Sequence, residues 1–458
     1  MYTEFTLEVL CGQIRTGTIS ALEIREQVLA AVVRHDELNC FIYEGDVDQA
    51  FAKPDLGQTH APLYGIPVSF KDNICVEGLD VTVGTSAMAG CIAPFDATIV
   101  ERLKTLGAVV AGKNNMHELS FGITSVNPYW GTVGNPTAPG YCAGGSSGGG
   151  AAAVAAGIVL MAIGTDTGGS VRIPASFCGI AGFRPTSGRW SSSGIIPVSI
   201  TKDSPGLLTR TATDALYVFG LVSTAEIFAT ARPSSSFRIG LPSSLWYGLD
   251  LDVMAACLGA IERLKAAGHE CVDVDDTAVL SLSRTITFTV PVYEFFLDFP
   301  RTLVALGWED RIDTVFADIH DENVREIISA QLGGRVTPAD YASAMANLGR
   351  LRRKINQLFD VWGVDLLAYP TVPQGVPQLT TASHPDLFAK CIRNTDLASN
   401  AGLPSITIPV APKGGLPVGL NLDAASGRDR YLLEAASRLE DVVRPRSDAI
   451  NRHPVSIR

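Results

Sequence analysis

The feature that most constrains this chain is a block rich in glycine and serine, residues 144–174, which reads GGSSGGGAAAVAAGIVLMAIGTDTGGSVRIP. Two Gly/Ser clusters, around Ser146 and around Ser170, flank an apolar segment that predicts a helix followed by a strand. The glycines before Ser170 allow bare backbone N–H groups to approach a substrate oxygen closely. Because such groups stabilise the oxyanion of acyl transfer, the block predicts a serine-based acyl-transfer site.

That chemistry needs a base, because a serine hydroxyl is a weak nucleophile until its proton is accepted. Neither cluster contains a histidine, and lysine is the known alternative. Lys71 follows Ile66–Phe70, a short apolar run typical of a buried strand. Burial disfavours the ammonium form and lowers a lysine pKa from about 10.4 by several units. From the residues alone, Lys71 is either this base or, more commonly for such a position, a partnered structural lysine.

The surrounding sequence predicts an α/β fold, because helical and strand patterns alternate along it. From residue 97 the chain reads ATIVERLKTLG, then AVVAG, then NNMHELSFG, which predicts helix, strand and helix. After residue 237, RIGLP and ECVDVD predict strands on either side of the helical VMAACLGAIERLKAAG. Residues 403–422 predict two strands joined by a Gly/Pro turn.

Other segments have a different character. Residues 1–60 predict helix, with Thr18 or Ser20 as a cap. The Gly/Pro/Ser-rich stretch 131–150 predicts an active-site loop rather than a linker, because apolar segments that need a common core flank it. Residues 221–236 predict a surface excursion.

Composition excludes several classes of protein. With 46% apolar and 18% charged residues in 458, the chain is not disordered. A net charge of −11 without a basic run disfavours nucleic acid and anionic membranes as partners. Nine cysteines without a C-x-x-C pair predict reduced thiols, with neither a disulfide framework nor a zinc site.

The location follows from two further observations. The N-terminus carries Glu4 and Glu8 and lacks the basic start and apolar run of a signal peptide. The longest apolar stretch, Ala151–Ile163, is shorter than the roughly 20 residues that a bilayer requires. We therefore expect a cytoplasmic protein that does not bind membranes.

Two short motifs offer competing interpretations. Gly107–Lys113 fits the phosphate-binding pattern G-x-x-x-x-G-K, but Asn114 replaces the required Ser or Thr, and the middle residues predict a strand. Gly144–Gly148 fits the nucleophile elbow G-x-S-x-G, which requires a preceding strand that NPTAPGYCA does not predict. Because histidines follow downstream, a Ser–His triad stays an alternative at this point.

The block from Gly144 to Pro174 resembles the diagnostic pattern of the amidase signature hydrolases. The resemblance continues in GIPVSFKDN, GKNNMHELSFG, CGIAGFRPTSGR and NAGLPSITIPV, and one departure is Gly150, where Ser or Ala is more usual. It implies a single α/β domain over residues 1–458, with a large mixed, twisted β-sheet covered by helices on both faces. This domain divides into a helical N-terminal segment (1–60), a signature core (61–220), a variable substrate-pocket region (221–390) and a C-terminal return to the sheet (391–458).

The family's catalytic residues correspond to positions in this sequence. Ser170 matches the acylated nucleophile, Ser146 the bridging serine that follows a cis peptide bond, and Lys71 the general base. The resemblance thus favours the catalytic interpretation of Lys71. It implies hydrolysis of a primary carboxamide to a carboxylate and ammonia through an acyl-enzyme, without metal or cofactor.

The same correspondence assigns supporting groups. Thr167, Gly168 and Gly169, together with Ser170, match the backbone N–H groups of the oxyanion hole. Asp166 and Arg172 look like a charge pair that supports this loop.

Segments outside the signature, among them LNCFIYEGD and TFTVPVYEFF, resemble the family members that hydrolyse indole-3-acetamide. They imply an aromatic small-molecule amide as substrate. Phe121 and Trp130, near the active-site loop, are candidates for the substrate pocket. Further aromatic side chains line either the pocket or the core: Phe288, Tyr293, Phe295, Phe296 and Phe299.

Three other functions stay open. One is an amidase for another aryl or aliphatic amide, such as mandelamide or phenylacetamide. Another is the A subunit of a tRNA-dependent amidotransferase, which the acidic charge and the non-signature segments disfavour. The third is a non-catalytic binding protein on the same scaffold. The sequence leaves the oligomeric state open, a homodimer included.

Overall fold

The computed structural model describes residues 2–42, 57, 59–223, 236–410 and 415–444. The predicted surface excursion at 221–236 lies mostly outside these residues. So does much of the last third of the predicted helical segment 1–60.

Eleven strands in the described part of the chain form one sheet. In chain order the strands are β1 (Phe41–Ile42), β2 (Pro67–Lys71), β3 (Val109–Asn114), β4 (Met161–Asp166), β5 (Ala181–Arg184), β6 (Ser204–Thr209), β7 (Arg238–Pro242), β8 (Glu270–Val274), β9 (Leu366–Pro370), β10 (Ser405–Pro409) and β11 (Gly419–Asp423). Across the sheet they follow the order β1-β3-β2-β4-β6-β5-β10-β11-β9-β7-β8. Strand β2 is parallel to β3 and β4, and β7 is parallel to β8 and β9, whereas the other neighbours are antiparallel.

The α-helices lie between and beyond these strands. They are α1 (Leu7–Arg15), α2 (Ala21–Arg34), α3 (Thr98–Thr105), α4 (Gly148–Ala155), α5 (Arg172–Cys178), α6 (Ala212–Val222), α7 (Leu251–Ala266), α8 (Thr277–Arg284), α9 (Thr289–Ala305), α10 (Ile312–Ala317), α11 (Glu322–Leu332), α12 (Pro338–Trp362), α13 (Asp386–Ala401) and α14 (Asp429–Val443). Helix α2 begins after Ser20, one of the two predicted caps. The Ser20 hydroxyl accepts from the Leu22 N–H, and Glu23 accepts from the Ser20 N–H.

The centre of the sheet is covered on both faces. All six residues of β4 are buried. Since successive side chains of a strand point to opposite faces, such a strand needs a packed layer on each side. Helix α4 packs against β4 and helix α14 against β10. The predicted α/β fold with a large mixed sheet is thereby confirmed, and so are the two C-terminal strands β10 and β11.

Two element predictions are wrong. Phe41 and Ile42, inside the segment 1–60 that was predicted to be helical, form strand β1 because they pair with the distant strand β3. NNMHELSFG, predicted as a helix after β3, forms a loop with one 3-10 turn at Glu118–Ser120, in which Leu119 and Ser120 have positive φ. The Glu118 carboxylate accepts from the backbone N–H groups of His320 and Asp321 at 3.0 and 2.7 Å. These distant contacts hold the segment in a loop and override its helix propensity.

Helix α4 begins at Gly148, three residues before the alanine-rich segment that predicted it. A Cβ atom on Gly149 would lie 2.4 Å from the carbonyl oxygens of Asn115 and Cys40. The first turn therefore packs against the chain at a distance that only glycine permits.

Candidate active site

Strand β2 delivers Lys71 to Ser146. The Lys71 Nζ donates to Ser146 Oγ at 2.7 Å and to Thr165 Oγ1 at 2.8 Å. Thr165 comes near the end of β4, the parallel neighbour of β2, so the two strands end side by side. Lys71 and Ser146 are both buried, and the Gly145–Ser146 peptide bond is cis.

Burial changes the protonation of this lysine. Loss of solvation lowers the pKa of Lys71 to about 7, although the nearby carboxylates of Asp203 and Asp166 act in the opposite direction. Near neutral pH a large fraction of the side chain is thus a free amine. Its lone pair makes it able to accept a proton from the Ser146 hydroxyl.

Ser170 lies in the turn between β4 and α5. Its carbonyl accepts from the Ser147 N–H at 3.2 Å, which joins the two serine clusters of the sequence. Ser170 is 8% exposed and borders a cavity, whereas Ser146 is fully buried. Of the two serines, Ser170 is therefore the one that is accessible from a cavity.

The turn before Ser170 presents backbone N–H groups. Gly169 has a φ of 135°, and its N–H donates to Asp166 Oδ1 at 3.0 Å. Within the described residues, the N–H groups of Thr167, Gly168 and Ser170 have no hydrogen-bond partner. Three of the four predicted oxyanion donors are thus unpaired, whereas the Gly169 N–H donates to the protein itself. Thr167 is held by its hydroxyl, which donates to Asp203 Oδ1 at 2.6 Å.

The predicted charge pair supports this turn. Arg172 binds Asp166 in bidentate fashion, with Nε 3.0 Å from Oδ2 and Nη2 3.0 Å from Oδ1, and Arg184 Nη1 lies 3.2 Å from Oδ1. Burial acts to raise the pKa of Asp166, but Arg172 and Arg184 outweigh it and hold that pKa well below its usual range. A charged, hydrogen-bonded Asp166 therefore fixes the Gly169 N–H.

Ser170 opens onto a narrow cavity, here named the inner chamber. Thr167, Gly168 and Ser170 line one side, and the other walls are mainly apolar, with Phe121, Ile123, Val198, Phe288, Pro291, Val292, Phe388 and Ile392. The chamber adjoins a larger cavity of about 750 Å³, the vestibule, and Phe121 and Phe288 line both. A vestibule of this size lies within the range of about 300–1,000 Å³ typical of small-molecule sites.

The structure places the aromatic residues predicted for the substrate pocket in different surroundings. Phe121 and Phe288 line the inner chamber, but Trp130 lines a different cavity, next to residues of α2 and β1. Phe295 and Phe299 lie in the core. Tyr293 stacks on Tyr341 with ring centres 4.4 Å apart, and Phe296 stacks on Phe316 at 5.2 Å. The structure thus does not bring Trp130 to Ser170.

Sequence reasoning missed four polar residues of the site. The Thr165 hydroxyl accepts from Lys71 Nζ, and the Asp203 carboxylate accepts from the Thr167 hydroxyl. Lys202 and Asp396 form an ion pair with Nζ 2.9 Å from Oδ1, and both line the inner chamber. The segment TKDSPG carries Lys202 and Asp203 beside a strand, but no spacing relates Lys202 to Asp396.

The two competing motifs have structural roles here. Lys113, the last residue of the phosphate-binding pattern, is buried in β3 with its Nζ 3.1 Å from Asp72 Oδ1. Ser146, the serine of the elbow pattern, has a lysine rather than a histidine as its partner.

No described helix is long and apolar enough to cross a membrane.

Comparison with known proteins agrees with this geometry. The amidase family profile matches residues 24–433. The chain is 56% identical over 451 residues to the indoleacetamide hydrolase of Pantoea agglomerans pv. gypsophilae, covering 96% of this chain and 97% of that protein. It is 55% identical to the indoleacetamide hydrolase of Pseudomonas savastanoi, covering 97% and 98%. A solved amidase structure superposes with a TM-score of 0.83 at 32% identity, covering 96% of this chain and all of the other. With its buried lysine–serine pair and these relatives, the chain belongs to the amidase family.

Proposed function

We propose that this amidase hydrolyses indole-3-acetamide to indole-3-acetate and ammonia, through an acyl-enzyme on Ser170. The observation that carries the chemistry is the buried contact of 2.7 Å between Lys71 Nζ and Ser146 Oγ, next to the accessible Ser170. The names of the relatives at 55–56% identity support the choice of substrate.

The first half-reaction forms the acyl-enzyme. Neutral Lys71 accepts the proton of Ser146 while Ser146 accepts the proton of Ser170, and Ser170 Oγ attacks the amide carbonyl carbon. The N–H groups of Gly168 and Ser170 stabilise the resulting oxyanion, a contribution of about 10²–10³ in rate for one donor. The C–N bond then breaks as the proton returns through Ser146 to the leaving nitrogen, which departs as ammonia.

The second half-reaction removes the acyl group. Water gives up a proton to the same relay and attacks the ester carbonyl. The bond to Ser170 Oγ breaks, Ser170 is reprotonated, and the carboxylate leaves. Each proton taken up by Lys71 is returned within its half-reaction, so the enzyme is regenerated.

The cavity supports an aromatic amide as substrate. In the proposed complex the amide end reaches Ser170 in the inner chamber. The flat ring lies against Phe121 and Phe288, where the chamber adjoins the vestibule. Aromatic faces and edges provide favourable contacts for such a ring.

Ammonia release from the purified protein tests the proposal. We expect indole-3-acetamide to be preferred over mandelamide, phenylacetamide and propionamide. The Ser170→Ala variant should lose about 10⁴–10⁶-fold in rate, as other serine hydrolases do without their nucleophile. Ser193→Ala, which truncates an exposed serine, is the matched control.

Other outcomes of this assay point to the rival functions. Preference for a different amide would keep the serine–lysine chemistry and overturn the substrate. Absence of ammonia from all four amides would favour an amidotransferase subunit, for which co-purifying partner subunits are the sign. Absence of labelling by a fluorophosphonate would favour a non-catalytic binding protein.

We further propose that the enzyme acts on a free small molecule in the cytoplasm and binds no nucleic acid. The net charge of −11 supports the last point. Light scattering on the purified protein decides between a monomer and a homodimer.

A further inference from the structure

A further cavity adjoins the inner chamber, and two arginines line it. This arginine cleft has a volume of about 180 Å³ and is lined by Arg284 from α8, Arg393 from α13 and apolar side chains that include Leu280, Phe288 and Ile392. Phe288 and Ile392 also line the inner chamber, so the same side chains separate the two cavities.

The arginines have no anionic partner in the part of the chain that the structure describes. Arg393 Nε donates to the Asn394 amide oxygen at 3.1 Å, but its Nη2 is buried without any hydrogen-bond partner. Burial and the neighbouring Arg284 both lower the pKa of Arg393. Leaving a buried cationic donor unpaired beside a like charge is costly. A bound anion would satisfy the donor and relieve the repulsion.

The one carboxylate that lines the cleft is already neutralised. Asp396 is paired with Lys202 Nζ at 2.9 Å and accepts from Asn400 Nδ2 at 2.7 Å and from the Thr287 hydroxyl. Its charge is thus compensated on the side of the inner chamber.

The walls of the cleft select among anions. Inorganic anions are strongly hydrated and gain nothing from Leu280, Phe288 and Ile392. A carboxylate with an apolar body contacts both the arginines and the apolar wall of the cleft. The guanidinium groups bind the carboxylate through charge-assisted hydrogen bonds, and the apolar body covers Leu280, Phe288 and Ile392. We propose that Arg284 and Arg393 form a binding site for a small carboxylate with an aromatic or aliphatic body, beside the inner chamber.

The product of the proposed reaction belongs to this class of ligand. Identifying indole-3-acetate as the occupant rests on the proposed function, whereas the carboxylate site itself does not. An arylacetate that forms at Ser170 would then have a second site on the enzyme, separated from the first by Phe288 and Ile392.

Isothermal titration calorimetry with indole-3-acetate tests the site. We expect the affinity to fall about 10- to 100-fold in Arg284→Gln and in Arg393→Gln, as the loss of a charge-assisted hydrogen bond predicts. Arg353→Gln removes an exposed arginine of α12 and should leave the affinity unchanged. Phosphate and neutral indole, titrated in parallel, should bind much more weakly.

The proposal is overturned if both arginine variants bind indole-3-acetate as the wild type does, because the carboxylate then sits elsewhere. It is also overturned if phosphate binds as tightly as indole-3-acetate. If circular dichroism shows that Arg393→Gln does not fold, the affinity for indole-3-acetate is measured instead in Arg284→Gln, a change at an exposed residue, and in Arg393→Lys, which keeps the positive charge. Arginine-dependent binding in a protein that releases no ammonia from amides would refute the proposed function alone.

Discussion

At the scale of single residues, burial lowers the pKa of Lys71 and so favours its neutral form. Lys71 has the 2.7 Å contact to Ser146 and no ion pair with a carboxylate in the described residues. Loss of solvation therefore outweighs the attraction of Asp203 and Asp166, and the pKa falls to about 7. The sequence placed Lys71 after a buried strand, but the size of this effect depends on packing from many other segments.

This pKa predicts the pH dependence of the activity. Because the neutral amine is the base in the proposed mechanism, kcat/KM should rise about tenfold per pH unit below pH 7 and level off above it. Asp203 favours the ammonium form, so Asp203→Asn should move this acidic limb to lower pH. The measurement is the pH profile of ammonia release, with Asp360→Asn, an exposed change on α12, as control. A limb at the same pH in Asp203→Asn would contradict the electrostatic link.

At the scale of elements, the glycines of α4 allow close packing next to Ser146. The sequence predicted a helix in this region from its alanines, but the start at Gly148 depends on contacts with Asn115 and Cys40. Similarly, NNMHELSFG forms a loop because Glu118 bonds to residues some 200 positions away. Local sequence patterns do not predict contacts between distant segments. The early start of α4 and the loop at NNMHELSFG both depend on such contacts.

Glycines in two helices should respond oppositely to alanine. Gly149→Ala places a Cβ 2.4 Å from two carbonyl oxygens and should destabilise the protein and reduce activity. Gly220→Ala lies in α6 with nothing within 4 Å of the new Cβ, so it should stabilise the protein by about 0.5–1 kcal/mol through helix propensity. Urea unfolding of both variants gives the comparison, and equal midpoints would refute it.

At the scale of the whole molecule, one buried arginine links the end of β4 to α13 and β10. Arg172 binds Asp166 at the end of β4, and it also donates to the Thr395 carbonyl and the Ser399 hydroxyl in α13 and to Ser405 in β10. Thr395, Ser399 and Ser405 lie more than 220 residues after Arg172 in the chain. The turn that carries Ser170 is thus held by the fold as a whole.

Removal of Arg172 should weaken the entire fold. Arg172→Ala leaves the buried Asp166 carboxylate with only part of its compensation, and breaking such a pair costs about 3–5 kcal/mol. We expect a lower urea midpoint together with a loss of activity. Arg350→Ala, an exposed arginine of α12, should change stability by less than about 0.5 kcal/mol. Stability of Arg172→Ala equal to that of the control would show that Arg184 alone compensates Asp166.

The lowered pKa of Asp166 predicts that the protein loses stability at acidic pH. Because the folded-state pKa of Asp166 lies below its usual range, its contribution is complete above about pH 4 and declines as the pH falls further. The free energy of unfolding should therefore decrease below pH 4, and less steeply in Arg172→Ala. Urea titrations across this range measure the slope, and identical slopes in both proteins would argue against Asp166 as the cause.

The sequence alone determined what depends on local order: the serine clusters, the strand before Lys71, the α/β alternation and the resemblance to an amidase. The tertiary structure decided which side chains meet. It brought Lys71 to Ser146, paired Lys202 with Asp396, and placed Phe121 in the inner chamber and Trp130 in another cavity. The physical reason is that strand register and helix packing set the distances between side chains that are 75 to 194 residues apart in the chain. The residues next to each of them in the sequence do not specify these distances.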